Sequence, residues 1–359
     1  MKPGASMAGA GKETIIHGGD LDAARRQFPS APEPWIDLST GINPHAYPFL
    51  PPVAGAWERL PQQSADRAVR LAAAKCYGAP DADMLVAAPG SQALIQIIPR
   101  LIETCEVVVL GPTYAEHAAA WARCGHRVIE ITSIADMGDA RALVVVNPDN
   151  PTGRIVATEE LRHAAERLAQ CGGLLVVDEA FADFSAPSVS VVPQLPPATI
   201  VLRSFGKAYG LAGVRLGFAV AHADLARRVR MELGPWAVSG PALAIGAQAL
   251  ADRRWLDEMR DKLDAGGRRL DELLAACGFK LEGGTHLFRL ASLARAHDIA
   301  DALGRDGIHV RRFEAHPHWL RFGLPNSNDA WQRLELSMRN STSRLSAKRI
   351  ATHADKESS

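Results

Sequence analysis

Six short apolar runs recur through the middle of the chain, at 107–110, Arg127–Ile131, Ala142–Val146, Leu174–Asp178, Thr199–Ser204 and 216–221. Several are apolar almost throughout and rich in β-branched residues, as strands must be when both faces of their sheet are covered. Amphipathic stretches separate them, among them 115–124 and Thr158–Gln170, the latter with Glu159 and Glu160 in a first turn where the helix dipole favours them. Strand alternating with helix predicts an α/β domain built on a mostly parallel sheet. Beyond Pro241 the rhythm changes to one long helical region reaching Ala276. A strand near Phe279, a helix over 293–303, strands at 308–311 and 319–322 and a last helix from Asn328 follow. These form a second, smaller α+β lobe.

With 359 residues the chain has room for two such units. The expected division is an N-terminal arm at 1–45 that joins the smaller lobe, a large domain at 46–250, the small domain at 251–340 and a polar, disordered tail at 341–359. Forty basic residues balance forty acidic ones, which argues against a nucleic-acid binder. No apolar run approaches the 18 or so residues of a membrane span. Residues 1–12 lack the apolar core of a signal peptide, so a cytoplasmic protein is expected. Cys76, Cys105, Cys124, Cys171 and Cys277 are too scattered for a disulfide framework or a zinc site, and no metal is expected.

The segments that carry chemistry each follow a predicted strand or open a predicted helix. The run from Ser204 through Lys207 to Arg215 and Gly217 places one lysine among glycines and apolar residues. Two readings fit it. Desolvation can lower the lysine's pKa so that a neutral amine forms a Schiff base with an aldehyde cofactor, or a glycine-rich loop simply turns its lysine to water. Ser204 and Arg215 are a hydroxyl donor and a planar cation suited to a phosphate. Asp178 ends a buried strand, where a carboxylate can bind a metal, keep a bound pyridine protonated, or cap a turn. Asn147-Pro148-Asp149-Asn150-Pro151-Thr152-Gly153 is a rigid turn whose Asn150 can donate its amide to a ligand oxygen. Gly90, Ser91 and Gln92 open a helix as an anion site or with Ser91 as its cap. Tyr114 covers a planar ligand or packs into the core.

Taken in order, these pieces resemble the class I/II aminotransferase family, the pyridoxal-phosphate enzymes of fold type I: a large domain with a mostly parallel sheet plus a smaller α+β domain. The resemblance implies pyridoxal 5'-phosphate as cofactor, with Lys207 joined to its aldehyde and Asp178 paired with its ring nitrogen as the catalytic residues. It implies that Asn150 bonds the ring oxygen, that Tyr114 stacks on the ring, and that Ser91, Ser204, Arg215 and the N–H groups of Gly90 and Gln92 hold the phosphate. Two positions depart from the family pattern. Phe181 stands where many members have a tyrosine that also bonds the ring oxygen, and Leu60 where a tyrosine often reaches the neighbouring subunit's cofactor phosphate.

The openings His17-Gly18-Gly19-Asp20 and Asp37-Leu38-Ser39-Thr40-Gly41-Ile42-Asn43-Pro44 are similar to those of members acting on a small phosphorylated amino substrate. The activity this implies is decarboxylation of threonine phosphate in cobalamin synthesis, with transamination of the histidinol-phosphate type as the alternative. By the same resemblance Arg321 grips the substrate carboxylate and Arg311 faces its phosphate, Arg312 pointing to the other side of a strand. Asn43 and His17 are candidates for the pocket mouth. Family members are homodimers, so a homodimer is expected, with Leu60 and Trp236 near its boundary and no nucleic-acid or membrane partner.

Overall fold

The computed structural model of the chain describes the backbone of residues 17–357 and the side-chain surroundings of residues 17–342. The strands are β1 Ile36–Leu38, β2 Leu85–Ala88, β3 Glu106–Leu110, β4 Arg127–Ile131, β5 Ala142–Val146, β6 Leu174–Asp178, β7 Thr199–Ser204, β8 Gly217–Ala221, β9 Lys280–Thr285, β10 Phe288–Ser292, β11 Ile308–Arg312 and β12 Trp319–Gly323. They form a seven-stranded sheet in the order β2-β8-β7-β6-β5-β3-β4 and a five-stranded sheet in the order β1-β11-β12-β10-β9. In the larger sheet β4, β3, β5, β6 and β7 run parallel, and β8 is antiparallel to both of its neighbours. The smaller sheet is antiparallel except where β1 joins β11.

The apolar runs have the physical origin their composition implies. Every residue of β5, β6, β7 and β8 is buried. Because side chains alternate along a strand, one set (Leu143, Val145, Leu175, Val177, Val201, Phe218) packs on one face, and Val144, Leu174, Val176, Ile200 and Leu202 pack on the other. Helices cover both faces, Thr158–Gln170 burying Leu161, Ala164, Ala165 and Leu168.

Two expectations are corrected. The helical region after Pro241 is two helices, Gly240–Ala251 and Arg253–Ala276, because Asp252 leaves helical geometry and accepts the Trp255 N–H at 3.0 Å, capping the second. The segment read as a disordered tail continues the last helix, Asn328–Glu357, with 358–359 outside the described residues. Its mix of Ser, Ala, Arg and Lys has helix propensity without an apolar stripe, so periodicity could not find it. Strands β1, β2 and β10 were not legible, the first two because runs as short as Ile36–Leu38 and Leu85–Ala88 carry no detectable alternation. Of the N-terminal arm, 1–16 lie outside the described residues, and Ile36–Leu38 adds β1 to the edge of the smaller sheet.

Candidate active site

Strands β7, β6, β5 and β3 are neighbours and parallel, so their carboxyl ends share one edge. Gly217, the first residue of β8, pairs with both Ser204 at the end of β7 and Ala88 at the end of β2. The end of β2 therefore reaches the same edge. This topology gathers the turns after residues 88, 110, 146, 178 and 204, which are far apart in sequence, as open α/β sheets gather ligand sites.

Lys207 lies on the short helix Phe205–Ala208, with its Nζ 4.5 Å from the centre of the Phe181 ring and no hydrogen-bond acceptor among the described residues. Burial pushes its pKa below the ordinary lysine value; Asp178 opposes the shift, and Arg321 and Arg215 add to it. The lysine is thus a desolvated amine among apolar neighbours and not one turned to water. Asp178 is buried, accepts the Ala180 N–H at 3.0 Å and meets Nε2 of His117 at 2.9 Å. Burial alone would raise its pKa, but the bond and charge of His117, with Lys207 behind them, outweigh that and hold it below the usual carboxylate range.

A cradle lies beside the lysine. Gly90 caps the helix Ser91–Ile97 with φ 82°, and a Cβ there would come within 2.7 Å of the Arg215 guanidinium. A Cβ on Gly217 would stand 2.5 Å from the Ser91 nitrogen. Both positions need glycine so that Arg215, Ser204 and the start of that helix can meet. The Ser204 hydroxyl makes no cap bond to the helix it precedes. One expectation is corrected here: the Gly90 N–H donates to the Ala88 carbonyl at 2.7 Å, so the helix-start donors begin at Ser91 and Gln92.

Tyr114 is half-buried, and burial followed by Glu116 and Asp178 pushes its phenol up to about 12. It donates to Gln92 Oε1 at 3.3 Å. Asn150 accepts a hydrogen bond from Arg321 through Oδ1, which leaves its amide N–H groups to donate elsewhere. Arg321 also donates to the Ser39 carbonyl at 2.8 Å, while its Nε is buried without a partner among the described residues. Burial, followed by Arg311, pulls its pKa down to about 10. Arg311 stands directly opposite Arg321 across the β11–β12 pair, so the two side chains share a face. Arg312 points the other way and pairs with Asp301 at 2.8 Å.

Asn43 is corrected. Its amide donates to the Ala208 carbonyl at 2.8 Å and accepts from the His45 N–H at 2.9 Å, so it braces the lysine segment instead of lining the mouth. The exposed His17 bonds Glu116 at 3.0 Å and lies 6.0 Å from the Tyr114 ring, at the rim of the cluster. Phe181 packs edge-on against Phe288 and presents its face to the lysine.

Sequence reasoning missed three groups. His117 has no local signal linking it to Asp178; the two meet because the helix Glu116–Arg123 follows β3 and packs beside the sheet edge. Glu116 accepts from Gln92 at 3.0 Å and Gln96 at 3.2 Å as well as from His17. Behind the edge, Arg203 pairs with Glu179 at 2.8 Å and Asp183 at 3.0 Å over the Tyr77 ring. Strand alternation accounts for this pairing: Asp178 and Ser204 face the site, and their neighbours Glu179 and Arg203 face away.

A planar aldehyde carrying a phosphate fits this set. It needs an amine for the aldehyde, a carboxylate for a ring nitrogen, an amide donor for a ring oxygen, an aromatic face, and a cradle of hydroxyl, guanidinium and N–H groups. A family model described as aminotransferase class I and II matches residues 54–331. A threonine-phosphate decarboxylase of Pseudomonas aeruginosa is 42% identical over 90% of this chain and 97% of its own length. A histidinol-phosphate aminotransferase of Mesorhizobium japonicum is 28% identical over 77% of this chain and 79% of its own. Among solved structures, the histidinol-phosphate aminotransferase of Sinorhizobium meliloti in complex with pyridoxal-5'-phosphate superposes with a TM-score of 0.75 at 21% identity, covering 95% of this chain and 100% of that one.

Proposed function

Since the chain belongs to the class I and II aminotransferase family and has its pyridoxal-phosphate fold type I, we propose that it decarboxylates L-threonine O-3-phosphate to (R)-1-aminopropan-2-yl phosphate in cobalamin biosynthesis. The observation that carries the substrate class is the Arg311–Arg321 pair. Like charges directly opposite on adjacent strands repel, and here one is buried and the other half-buried. A ligand with two anionic ends relieves that repulsion, and a phosphorylated amino acid has a carboxylate and a phosphate. The 42% identity to a threonine-phosphate decarboxylase, against 28% to a histidinol-phosphate aminotransferase, supports the first activity over the second.

The residues take these roles. Lys207 would offer its amine to the cofactor aldehyde, and Ser91, Ser204, Arg215 and the Ser91 and Gln92 N–H groups would hold the cofactor phosphate. Asp178, whose pKa His117 holds down, would keep a proton on the ring nitrogen, while Tyr114 and Asn150 would fix the ring plane. Bound pyridoxal phosphate supplies an electron-accepting ring, into which the electrons of a bond held perpendicular to it can flow. Arg321 takes the substrate carboxylate in a bidentate pair and Arg311 takes the substrate phosphate, so together they orient the bonds at Cα. Lys207 Nζ, carrying the proton it takes from the substrate's ammonium group, would give that proton to Cα once the carboxylate has left as carbon dioxide. His17 stands at the entrance.

In this reading residues 46–250 form the cofactor domain and 251–340 the small domain of a cytoplasmic homodimer. Leu50, Val53, Trp57, Leu60 and Trp236 are all more than half exposed, which supports apolar contact between subunits. Among the described residues no helix is long and apolar enough to cross a membrane. The test incubates purified, reconstituted protein with threonine phosphate. Carbon dioxide released without a keto acid is the expected result; strict dependence on 2-oxoglutarate would overturn it in favour of transamination.

A further inference from the structure

Tyr114 and Asn150 stand on different loops, and strand pairing does not fix their separation. The ladder between β3 and β5 ends at the pair Val109↔Val144, before either loop begins. Beyond it, Asp149 makes the link. Its side chain is fully buried, its Oδ1 accepts the Thr113 hydroxyl at 2.6 Å, and its Oδ2 accepts the Thr152 hydroxyl at 2.6 Å and the Thr152 N–H at 3.1 Å. Thr113 immediately precedes Tyr114, and Asp149 immediately precedes Asn150. The base of the same turn is held separately: Arg154 donates to the carbonyls of Leu110 at 3.0 Å and Gly111 at 2.9 Å.

We propose that Asp149 is a positioning residue which, through Thr113, sets the gap between the Tyr114 ring and the Asn150 amide and so shapes the slot for the cofactor plane. This rests on the function proposed above. The chemistry of the side chain supports it. A turn alone is served by asparagine, whose single oxygen accepts as an Asx turn requires. Three donors arriving on both oxygens need two acceptor atoms, which a carboxylate has and an amide lacks, and a carboxylate in the interior is costly unless its donors repay it. Two of the three bonds close the turn upon Thr152, and the third, from Thr113, reaches a different loop. Asn150 is also gripped from the smaller sheet by Arg321. A loosened Thr113–Asp149 bond therefore shifts the aromatic face, the amide and the carboxylate-binding arginine relative to one another.

The test titrates apoenzyme with pyridoxal phosphate and follows the visible absorption and induced circular dichroism of the bound cofactor. The chains compared are wild type, Thr113→Val, Asp149→Ala, Asp149→Asn and the Thr113→Val/Asp149→Ala double variant. Thr113→Val and Asp149→Ala are each expected to weaken cofactor binding about tenfold, the scale of one lost hydrogen bond to a charged group, and to reduce the dichroism. The double variant is expected to be no weaker than Asp149→Ala, because both changes cut one link. Asp149→Asn keeps the acceptor for Thr113 and is expected to bind within about threefold of wild type.

Unchanged affinity and dichroism in Thr113→Val would overturn the proposal. So would single effects that multiply in the double variant, or a lower melting temperature in Asp149→Ala with unaltered cofactor affinity of the folded protein. Should Asp149→Ala not fold, Thr113→Val, a change of one hydroxyl to methyl, decides alone. Failure of the proposed function reads differently: the wild-type chain itself then takes up no pyridoxal phosphate.

Discussion

Asp178 and Glu179 are adjacent carboxylates, both buried, and the protein uses them in opposite ways. Asp178 faces the site with one side-chain partner, His117, and its pKa lies below the ordinary carboxylate value. Glu179 faces the back of the sheet. There it accepts the Ser190 hydroxyl at 2.6 Å, the Val191 N–H at 2.9 Å and Arg203 at 2.8 Å, yet burial keeps its pKa raised. The rear charge has its acceptor capacity absorbed by the fold. The front charge is stabilised as an anion and keeps reach toward a ligand. A single step along a strand separates structure from chemistry.

Four substitutions probe that division. Lys207→Ala should have the largest effect, removing the visible cofactor band and lowering turnover by more than about 10³-fold; absorbance and carbon dioxide release report it. Asp178→Asn should lower turnover by about 10²–10³-fold with a smaller loss of stability. The sign of its pH dependence follows from the depressed pKa. Asp178 contributes stability that is complete above its unfolded value near 3.8 and lost as pH falls through the lower folded value, so the variant should show a flatter acid limb in thermal melts.

Arg203→Ala should do the reverse. Stranding Glu179 and Asp183 in the interior should cost about 3–5 kcal/mol in denaturant unfolding, with turnover per bound cofactor within about threefold of wild type. A large loss of turnover in the folded protein would break the front–back distinction. Phe181→Tyr should have the smallest effect. A hydroxyl that finds the cofactor's ring oxygen should tighten binding by less than about tenfold, measured by cofactor titration.

Much of the fold and of the site is legible in the amino-acid sequence. The buried strands announce themselves because a sheet covered on both faces demands apolar residues at consecutive positions, as in Ala142–Val146. Lys207, Asp178, Asn150, Tyr114 and Arg215 stand out because each sits next to such a strand or in a glycine-rich turn. The choice of Arg311 over Arg312 rests on alternation, and the pairing of Arg312 with Asp301 agrees with it. His117, Glu116 and Asp149 go unassigned because each meets a partner far away in sequence, Asp178, Gln92 and Thr113 respectively, and no local pattern announces such a contact. Asn43 is misplaced for the converse reason, since its motif gives no sign that the amide will be consumed by the backbone at Ala208 and His45.

The sequence by itself determined the buried strands from β3 to β8 and the order of chemical groups along them, because burial and alternation act locally. Only the tertiary structure decided which groups meet. The antiparallel β8 brings the Gly90 turn to the lysine's edge, and the register of β11 on β12 sets two arginines face to face. Such meetings depend on strand order and register, which are set by the packing of the whole molecule and not by the residues that end up in contact.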